Sequence, residues 1–164
     1  MILKEKIGLK MEIVKLNEKN FELYKQDINA LIKENYRINL GELEDIDIIV
    51  NNKCNEIPQF LINGSAYILV CVEEKKAIAF LWAYQKEEIQ EKVIHVSHII
   101  VKENYQRKGI GKILMDNLEN EMKKRNIYIV DLVTTADNNK AMNFYKKSGF
   151  QVKRDFLRKK ISET

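Results

Sequence analysis

An apolar stretch that leads through a glycine-containing loop into an amphipathic helix constrains the fold of this chain most strongly. Residues 93–101 are apolar enough to form a central β-strand, and residues 102–111 form a polar loop with Gly109 and Gly111. The apolar residues that follow, to about Arg125, recur on one face at helical spacing. A strand–loop–helix unit of this kind predicts an α/β fold.

The other patterns predict a mixed, mostly antiparallel sheet flanked by helices. Strands are predicted over residues 12–16, 66–72, 77–84, 93–101, 128–134, 150–153 and 156–161. Helices are predicted over 18–34, over 43–61 with an irregularity before Pro58, from the loop to Arg125, and over 138–148. Asn17 is expected to cap the first helix, and Gly149 to end the last.

Length and composition favour one ordinary globular domain. The 164 residues suit a short lysine-rich extension over 1–10 and a single domain over 11–164. The two cysteines form no CxxC pair, which argues against a disulfide scaffold or a cysteine-rich zinc site. A net charge of +4 is low for a nucleic-acid binder, and no apolar run approaches the roughly 18 residues of a membrane span. We expect a soluble cytoplasmic monomer or homodimer, with neither nucleic acid nor membrane as partner.

The loop before the central helix has the chemistry of an anion site. N–H groups at a helix start point outward, and the helix dipole favours negative charge there. Gly109 and Gly111 allow close approach to the backbone, and Arg107 and Lys108 add positive charge, so a pyrophosphate is a suitable ligand. Neither GxxxxGK[ST] nor GxGxxG is present, since Leu114 stands where the third glycine would be. Two glycines alone are also compatible with an ordinary turn.

Two motifs resemble those of the GNAT superfamily of N-acetyltransferases. Residues 106–111 (QRKGIG) resemble its (Q/R)xxGx(G/A) motif, which holds the pyrophosphate of acetyl-coenzyme A, although Glu103 replaces a frequent proline. Residues 138–150 (NNKAMNFYKKSGF) resemble its NxxAxx(F/L)YxxxGF helix. The resemblance covers residues 93–150 by motif and about 11–161 by topology. It implies a GNAT fold with splayed fourth and fifth strands, acetyl-coenzyme A as cosubstrate and no metal.

The resemblance also implies the residues that contact coenzyme A. They lie on the fourth strand, in the loop, at the start of the next helix and on the last helix: Ile99, Ile100, Val101, Gln106, Arg107, Lys108, Gly109, Ile110, Gly111, Lys112, Asn138 and Tyr145. The three strand residues would pair with the pantetheine through their backbone. Tyr145 occupies the position of the general acid that protonates the leaving thiolate. Asn138 corresponds to a coenzyme A ligand and also suits a helix N-cap.

The general base is left open between His95 and ordered water. His95 stands eleven residues before Gln106, where some GNAT enzymes carry a glutamate. Imidazole accepts protons near neutral pH, directly or through water. With regular strand alternation, His95, Ser97 and Ile99 share one face and His98 points to the other.

The acceptor is not identified by the sequence. The acidic residues Glu42, Glu44, Asp45 and Asp47 could attract a cationic amine or could form a solvated helix start. Neither Cys54 nor Cys71 lies in the context of a nucleophile, which favours direct attack by the amine. The sequence therefore predicts an N-acetyltransferase acting on a primary amine. The alternative is a non-catalytic acyl-coenzyme A-binding or protein-interaction module of the same fold.

Overall fold

The computed structural model describes residues 11–88, 91–154, 157 and 159. The chain divides after Val133 into two compact units. The extension predicted over 1–10 lies outside the described residues. Of the strand predicted over 156–161, only residues 157 and 159 are described.

The first unit contains five strands and three α-helices among its described residues. In chain order they are β1 (Met11–Lys15), α1 (Lys25–Leu40), α2 (Ile46–Ile62), β2 (Ala66–Glu73), β3 (Lys76–Glu88), β4 (Glu91–Val101), α3 (Ile110–Lys124) and β5 (Ile129–Leu132). Short 3₁₀ turns occupy Phe21–Leu23 and Glu103–Tyr105. The second unit contains α4 (Asn139–Lys147).

The strands form one mixed sheet in the order β1-β2-β3-β4-β5, which confirms the predicted fold class. The first four strands are antiparallel neighbours, and β5 runs parallel to β4. The tight connection of β2 to β3 uses Glu74 and Lys75, both with positive φ (48° and 67°), as a two-residue hairpin turn requires.

Helices cover both faces of the sheet in the first unit. Alternate sheet residues such as Ile68, Phe80 and Trp82 form a buried core with α1 and α2. On the opposite face, α3 packs against β2, β3 and β4 and buries Leu114 and Leu118. Each Å² of apolar area buried between these layers stabilises the fold by about 25 cal/mol. This burial holds β4 in place, and the C-terminal end of β4 leads into the loop.

The first helix begins later than the sequence predicts. The side chain of Asn17 accepts hydrogen bonds from the N–H groups of Lys19 (2.8 Å) and Asn20 (3.1 Å). It therefore stabilises a local turn followed by a 3₁₀ segment, and α1 starts only at Lys25, with Tyr24 as its N-cap. The expectation that Asn17 caps the helix is wrong for this reason.

The second helix is more regular than expected. It begins at Ile46, because Asp45 adopts a left-handed conformation (φ 57°), and it continues unbroken through Pro58. The proline costs the hydrogen bond that its N–H would have donated to the carbonyl of Cys54. Burial of Cys54 and Ile57 holds the helix together across this point, so the predicted irregularity is not found.

The second unit begins at Thr134 and is described by itself. Asn138 caps α4, since its Oδ1 accepts a hydrogen bond from the N–H of Ala141 at 3.0 Å. Gly149, with φ 89°, follows the helix end, as predicted. Residues 150–153 are not a strand. They pair with no strand among the described residues, and an extended segment without a partner gains no ladder hydrogen bonds.

Candidate active site

The loop between β4 and α3 ends in an uncapped helix start. Gly109 is the N-cap, with φ 81° and ψ 0°, and no side chain caps the first turn. That turn contains no acidic residue. Arg107 also has a positive φ of 62°, so the chain turns sharply twice before the helix begins. The first helical hydrogen bond runs from the N–H of Ile113 to the carbonyl of Gly109, at 3.0 Å.

The backbone N–H groups of this loop are available to a ligand. Within the described part of the chain, no group accepts a hydrogen bond from the N–H of any residue from 107 to 112. An ideal Cβ built on Gly109 would meet no atom within 4 Å. Several outward-facing donors at the positive end of a helix dipole form a cradle for an anion. These residues fit the pyrophosphate that the sequence predicts.

Two basic side chains in and after the loop contact neighbouring residues, so they are less available to an anion than the sequence suggests. Lys112 is bound to Asp116, one turn along the helix, with Nζ 2.8 Å from Oδ1. Lys108 places its Nζ over the ring of Tyr105, 5.0 Å from the centroid. The anion site therefore depends first on the backbone, with the basic side chains adding positive charge around it.

Two side chains anchor the loop to the sheet. Gln106 donates a hydrogen bond from Nε2 to the carbonyl of Val101 at 2.8 Å, which closes the loop on the end of β4. The hydroxyl of Tyr105 donates to the carboxylate of Glu73, at the end of β2. Sequence analysis did not find Glu73, because its partner is distant in the chain.

The ladder between β4 and β5 ends before this loop. β5 pairs only with Val93–Val96 of β4. From Ser97 to Val101, β4 has no strand on that side in the described sheet. Ile100 is buried in the core, whereas Ile99 and Val101 are half-buried. Backbone groups that face away from β3 in this segment are available to an extended ligand.

A β-bulge changes which residues of β4 share a face. Trp82 pairs with His98, and Ala83 with Val96, so Ser97 has no partner on β3. His98 stacks on Trp82 (centroids 5.7 Å apart), and His95 packs on Tyr84 (5.2 Å).

Both histidines therefore point to the same face of the sheet. Trp82 and Tyr84 lie two residues apart on β3 and so share a face, which His98 and His95 must share with them. The regular alternation expected from the sequence is wrong at Ser97, because an extra residue reverses the order of faces.

The two histidines have different environments on that face. The ring of His98 lies between Trp82 and Tyr36, and its Nδ1 is 2.9 Å from the hydroxyl of Ser97. Burial, reinforced by the charge of Lys53, lowers the pKa of His98 to about 4. His98 is therefore a neutral core residue at physiological pH.

His95 belongs to a polar group at the junction of three strands. Its Nδ1 lies 2.7 Å from Oδ1 of Asp131 on β5. The other carboxylate oxygen of Asp131 lies 2.6 Å from Nζ of Lys86, which is also 3.2 Å from Glu88. Sequence analysis missed Asp131 and Lys86. A carboxylate within the short apolar strand IVDL was the available signal.

In the second unit, Asn138 and Tyr145 lie at the two ends of α4. The cap formed by Asn138 supports its structural interpretation, and its role as a coenzyme A ligand stays a prediction. The ring of Tyr145 packs edge-on against Phe144 and Phe150, with centroids 5.3 Å and 5.6 Å away. Burial raises the pKa of Tyr145 to about 12, so its hydroxyl is protonated at neutral pH.

The acidic cluster between α1 and α2 is partly neutralised. Asp47 forms an ion pair with Lys33 (2.5 Å), and Glu42 lies 4.0 Å from Arg37. These contacts favour the solvated helix start over a dedicated amine site. Both cysteines are buried, and burial raises the pKa of each thiol to about 11, as expected of core residues and not of nucleophiles.

No helix among the described residues is long and apolar enough to cross a membrane. No group of three or more histidine, cysteine, aspartate or glutamate side chains there is arranged to hold a metal ion.

The mixed sheet, the short parallel ladder of β4 with β5 and the anion cradle are features expected of the GNAT fold that the sequence predicts. The sequence pattern of the Acetyltransferase (GNAT) family matches residues 25–150. The chain belongs to this family. The resemblance of its two motifs to the superfamily is thereby confirmed.

The chain is similar to proteins of known sequence and structure, and it spans less than two thirds of the length of the curated relative that follows. YxbD of Bacillus subtilis, an uncharacterized protein, is 33% identical over 108 residues, which are 61% of this chain and 64% of that protein. A predicted acetyltransferase from Clostridium acetobutylicum, solved with acetyl-CoA, has a TM-score of 0.70 at 22% identity, covering 92% of this chain and 96% of its own. The aminoglycoside acetyltransferase meta-AAC0020 from an uncultured soil metagenomic sample, solved with sisomicin, has a TM-score of 0.71 at 16% identity, with 94% and 97% covered. At these identities the structural similarities establish the fold.

Proposed function

We propose that this protein transfers an acetyl group from acetyl-coenzyme A to a primary amine by direct attack. One observation carries the proposal: the backbone N–H groups of residues 107–112 have no acceptor among the described residues. They lie directly after the segment of β4, from Ser97 to Val101, that extends beyond its ladder with β5. A ligand with a pyrophosphate and an extended amide-containing arm matches both features. The relative solved with acetyl-CoA supports this choice of donor.

The donor is held mainly through the backbone. Gly109 and the first residues of α3 bind the pyrophosphate, and Arg107 supplies positive charge nearby. The pantetheine arm pairs with the free side of β4 over Ile99, Ile100 and Val101. Backbone hydrogen bonds of this kind position the thioester without requiring particular side chains.

The reaction forms one bond to carbon and breaks another. The neutral amine nitrogen attacks the thioester carbonyl carbon, a C–N bond forms, and the C–S bond breaks with departure of the thiolate. The nitrogen loses one proton, which we assign to His95, directly or through water. The sulfur gains one proton, which we assign to Tyr145 because its hydroxyl is protonated at neutral pH.

The acceptor is proposed as a class only. An amine is the nucleophile that GNAT N-acetyltransferases use, and the relative solved with sisomicin is an aminoglycoside acetyltransferase. Two of the four acidic residues near the junction of α1 and α2, Asp47 and Glu42, pair with Lys33 and Arg37, so we do not base an acceptor site on this cluster.

Release of the coenzyme A thiol tests the proposal. Purified protein is mixed with acetyl-coenzyme A and a panel of amines, including amino acids, polyamines, aminoglycosides and peptides. We expect thiol release that depends on both protein and amine, together with an acetylated product in the mass spectrum. Tight donor binding without amine-dependent release across the panel would instead favour the non-catalytic module.

A further inference from the structure

We propose that Asp131 is a positioning residue that orients the His95 ring and fixes its proton on Nδ1, so that Nε2 is left as the proton acceptor. This inference rests on the proposed function, which gives His95 its task. Nothing in the motifs of the sequence indicates Asp131, and the assignment comes from the contacts of β4 with β5.

The register of the two parallel strands brings the pair together. His95 pairs with Asp131 in the β4–β5 ladder, so their side chains leave the sheet on the same face. The Nδ1–Oδ1 distance of 2.7 Å is that of a strong hydrogen bond. The pair lies one residue before the end of the ladder at Val96 and Leu132.

The carboxylate determines the tautomer of the imidazole. An ionised carboxylate only accepts hydrogen bonds, so the hydrogen of this contact belongs to Nδ1 of His95. In the neutral ring, Nε2 then carries the lone pair. Within the described residues, Nε2 of His95 makes no hydrogen bond. The basic nitrogen is therefore available to a substrate proton or to a bridging water.

Lys86 keeps the carboxylate ionised. Partial burial pushes the pKa of Asp131 upward, but hydrogen bonds from Lys86 and His95 outweigh it and leave the pKa below its usual value. The same contact raises the pKa of Lys86, so that both partners stay charged through neutral pH. Asp131 thus uses one oxygen for Lys86 and the other for His95.

The ring is also held by packing. Tyr84 lies against it at 5.2 Å and 54°, and only 18% of the His95 side chain is exposed. The titratable groups that face His95 are Tyr84 and Lys86 from β3 and Asp131 from β5, with Glu88 joined through Lys86. These groups could also serve only to tie three strands together, so the test must separate orientation from stability.

The first test measures the tautomer and needs no turnover. The chain contains two histidines, so ¹⁵N spectra of its imidazoles are simple, and His95→Gln identifies the His95 signals. We expect the Nδ1–H tautomer in the wild type, and a mixture of tautomers in Asp131→Asn, whose amide can either accept or donate. A wild-type ring with its proton on Nε2 would overturn the proposal, whether or not the enzyme is active on the amines tried.

The second test uses a double-mutant cycle. Asp131→Asn should lower kcat/KM for the amine by about 10- to 100-fold, the usual cost of losing a side chain that orients a functional histidine. It should leave coenzyme A affinity unchanged. In the His95→Gln background the same change should have less than about a twofold effect, because Asp131 acts through His95. Equal losses in both backgrounds would assign Asp131 a structural role.

Glu121→Gln is the matched control for these tests. It removes a partly buried carboxylate bound to Arg125 and should leave both the tautomer of His95 and kcat/KM for the amine unchanged. A loss of kcat/KM in Glu121→Gln as large as that in Asp131→Asn would show that the effect is not specific to the carboxylate beside His95, and would contradict the proposal.

Discussion

Tyr105, in the loop before α3, donates a hydrogen bond from its hydroxyl to the carboxylate of Glu73, 32 positions earlier in the chain. The hydrogen bond to Glu73 is the main reason why the pKa of Tyr105 is raised. Glu73 ends β2, so the anion cradle is tied to a hairpin that contributes no residue to it.

Tyr105→Phe should weaken coenzyme A binding by about threefold, because the loop loses one anchoring hydrogen bond and gains freedom that binding must remove. Isothermal titration calorimetry measures this. Tyr128→Phe is the control, since that exposed hydroxyl donates to Asn126, at 3.3 Å, and to no other described residue. Equal affinity in the two variants would show that the Glu73 contact does not organise the cradle.

Gly109→Val should abolish most coenzyme A binding, with an affinity loss of at least about tenfold, because a branched side chain would occupy the cradle. Gly64→Val is matched to it: both glycines have positive φ (81° and 71°) and open space around the Cβ position. Each variant should be destabilised by roughly 1–2 kcal/mol or somewhat more. Calorimetry and thermal unfolding together separate strain from lost binding. Normal affinity in folded Gly109→Val would refute the cradle.

Tyr145→Phe should slow single turnover by about 10²- to 10⁴-fold, if the phenol protonates the leaving thiolate. Donor affinity should persist, since one hydroxyl is lost and little volume changes. The raised pKa of Tyr145, about 12, also predicts no basic limb from this group below about pH 11. Rapid-quench measurements at saturating donor test both points. A wild-type rate would remove Tyr145 from the mechanism.

His98 should make folding stability depend on pH. Its pKa is lowered to about 4 in the folded state, against about 6.5 in the unfolded chain, so the unfolded state binds protons more readily between these values. Stability is fully present above pH 6.5 and falls by about 3 kcal/mol towards pH 4. Urea unfolding gives the free energy of unfolding of the wild type and of His98→Phe at each pH. The difference between the two proteins removes the contribution of the carboxylates that they share. Parallel pH curves for the two proteins would contradict it.

The sequence predicted helices, strands and helix ends correctly where the apolar pattern and the turn-forming residues indicate the same element. Gly149 as a helix end follows from glycine conformation, and strands β2 and β3 follow from two β-rich apolar runs. The late start of α1 was missed because Asn17 stabilises a turn of its own. The strand over 150–153 was wrong because a strand depends on a neighbour that local sequence does not specify.

In the candidate site, too, the sequence predicted residues that are neighbours in the chain and missed those that only the sheet brings together. The cradle residues are contiguous in the chain, so their motif identified them together. Asp131 and Lys86 reach His95 only through the registers of β3 with β4 and of β4 with β5. No spacing rule along the chain encodes those registers, and the bulge at Ser97 alters one of them.

Because of the bulge, the face to which a side chain of β4 points depends on the exact number of residues between it and the loop. Residues before Ser97 and residues after it obey opposite odd–even rules. Deleting Ser97 alone would bring Val96 next to His98 and restore one rule along the whole strand, with every side chain on its present face. Inserting one residue between His95 and Val96 would do the opposite: because Ile100 and the loop are fixed by the core, His95 would turn over, away from Tyr84 and Asp131 and towards α3. One added residue, with almost no change in composition, would thus disconnect the histidine from its partners while leaving both motifs intact.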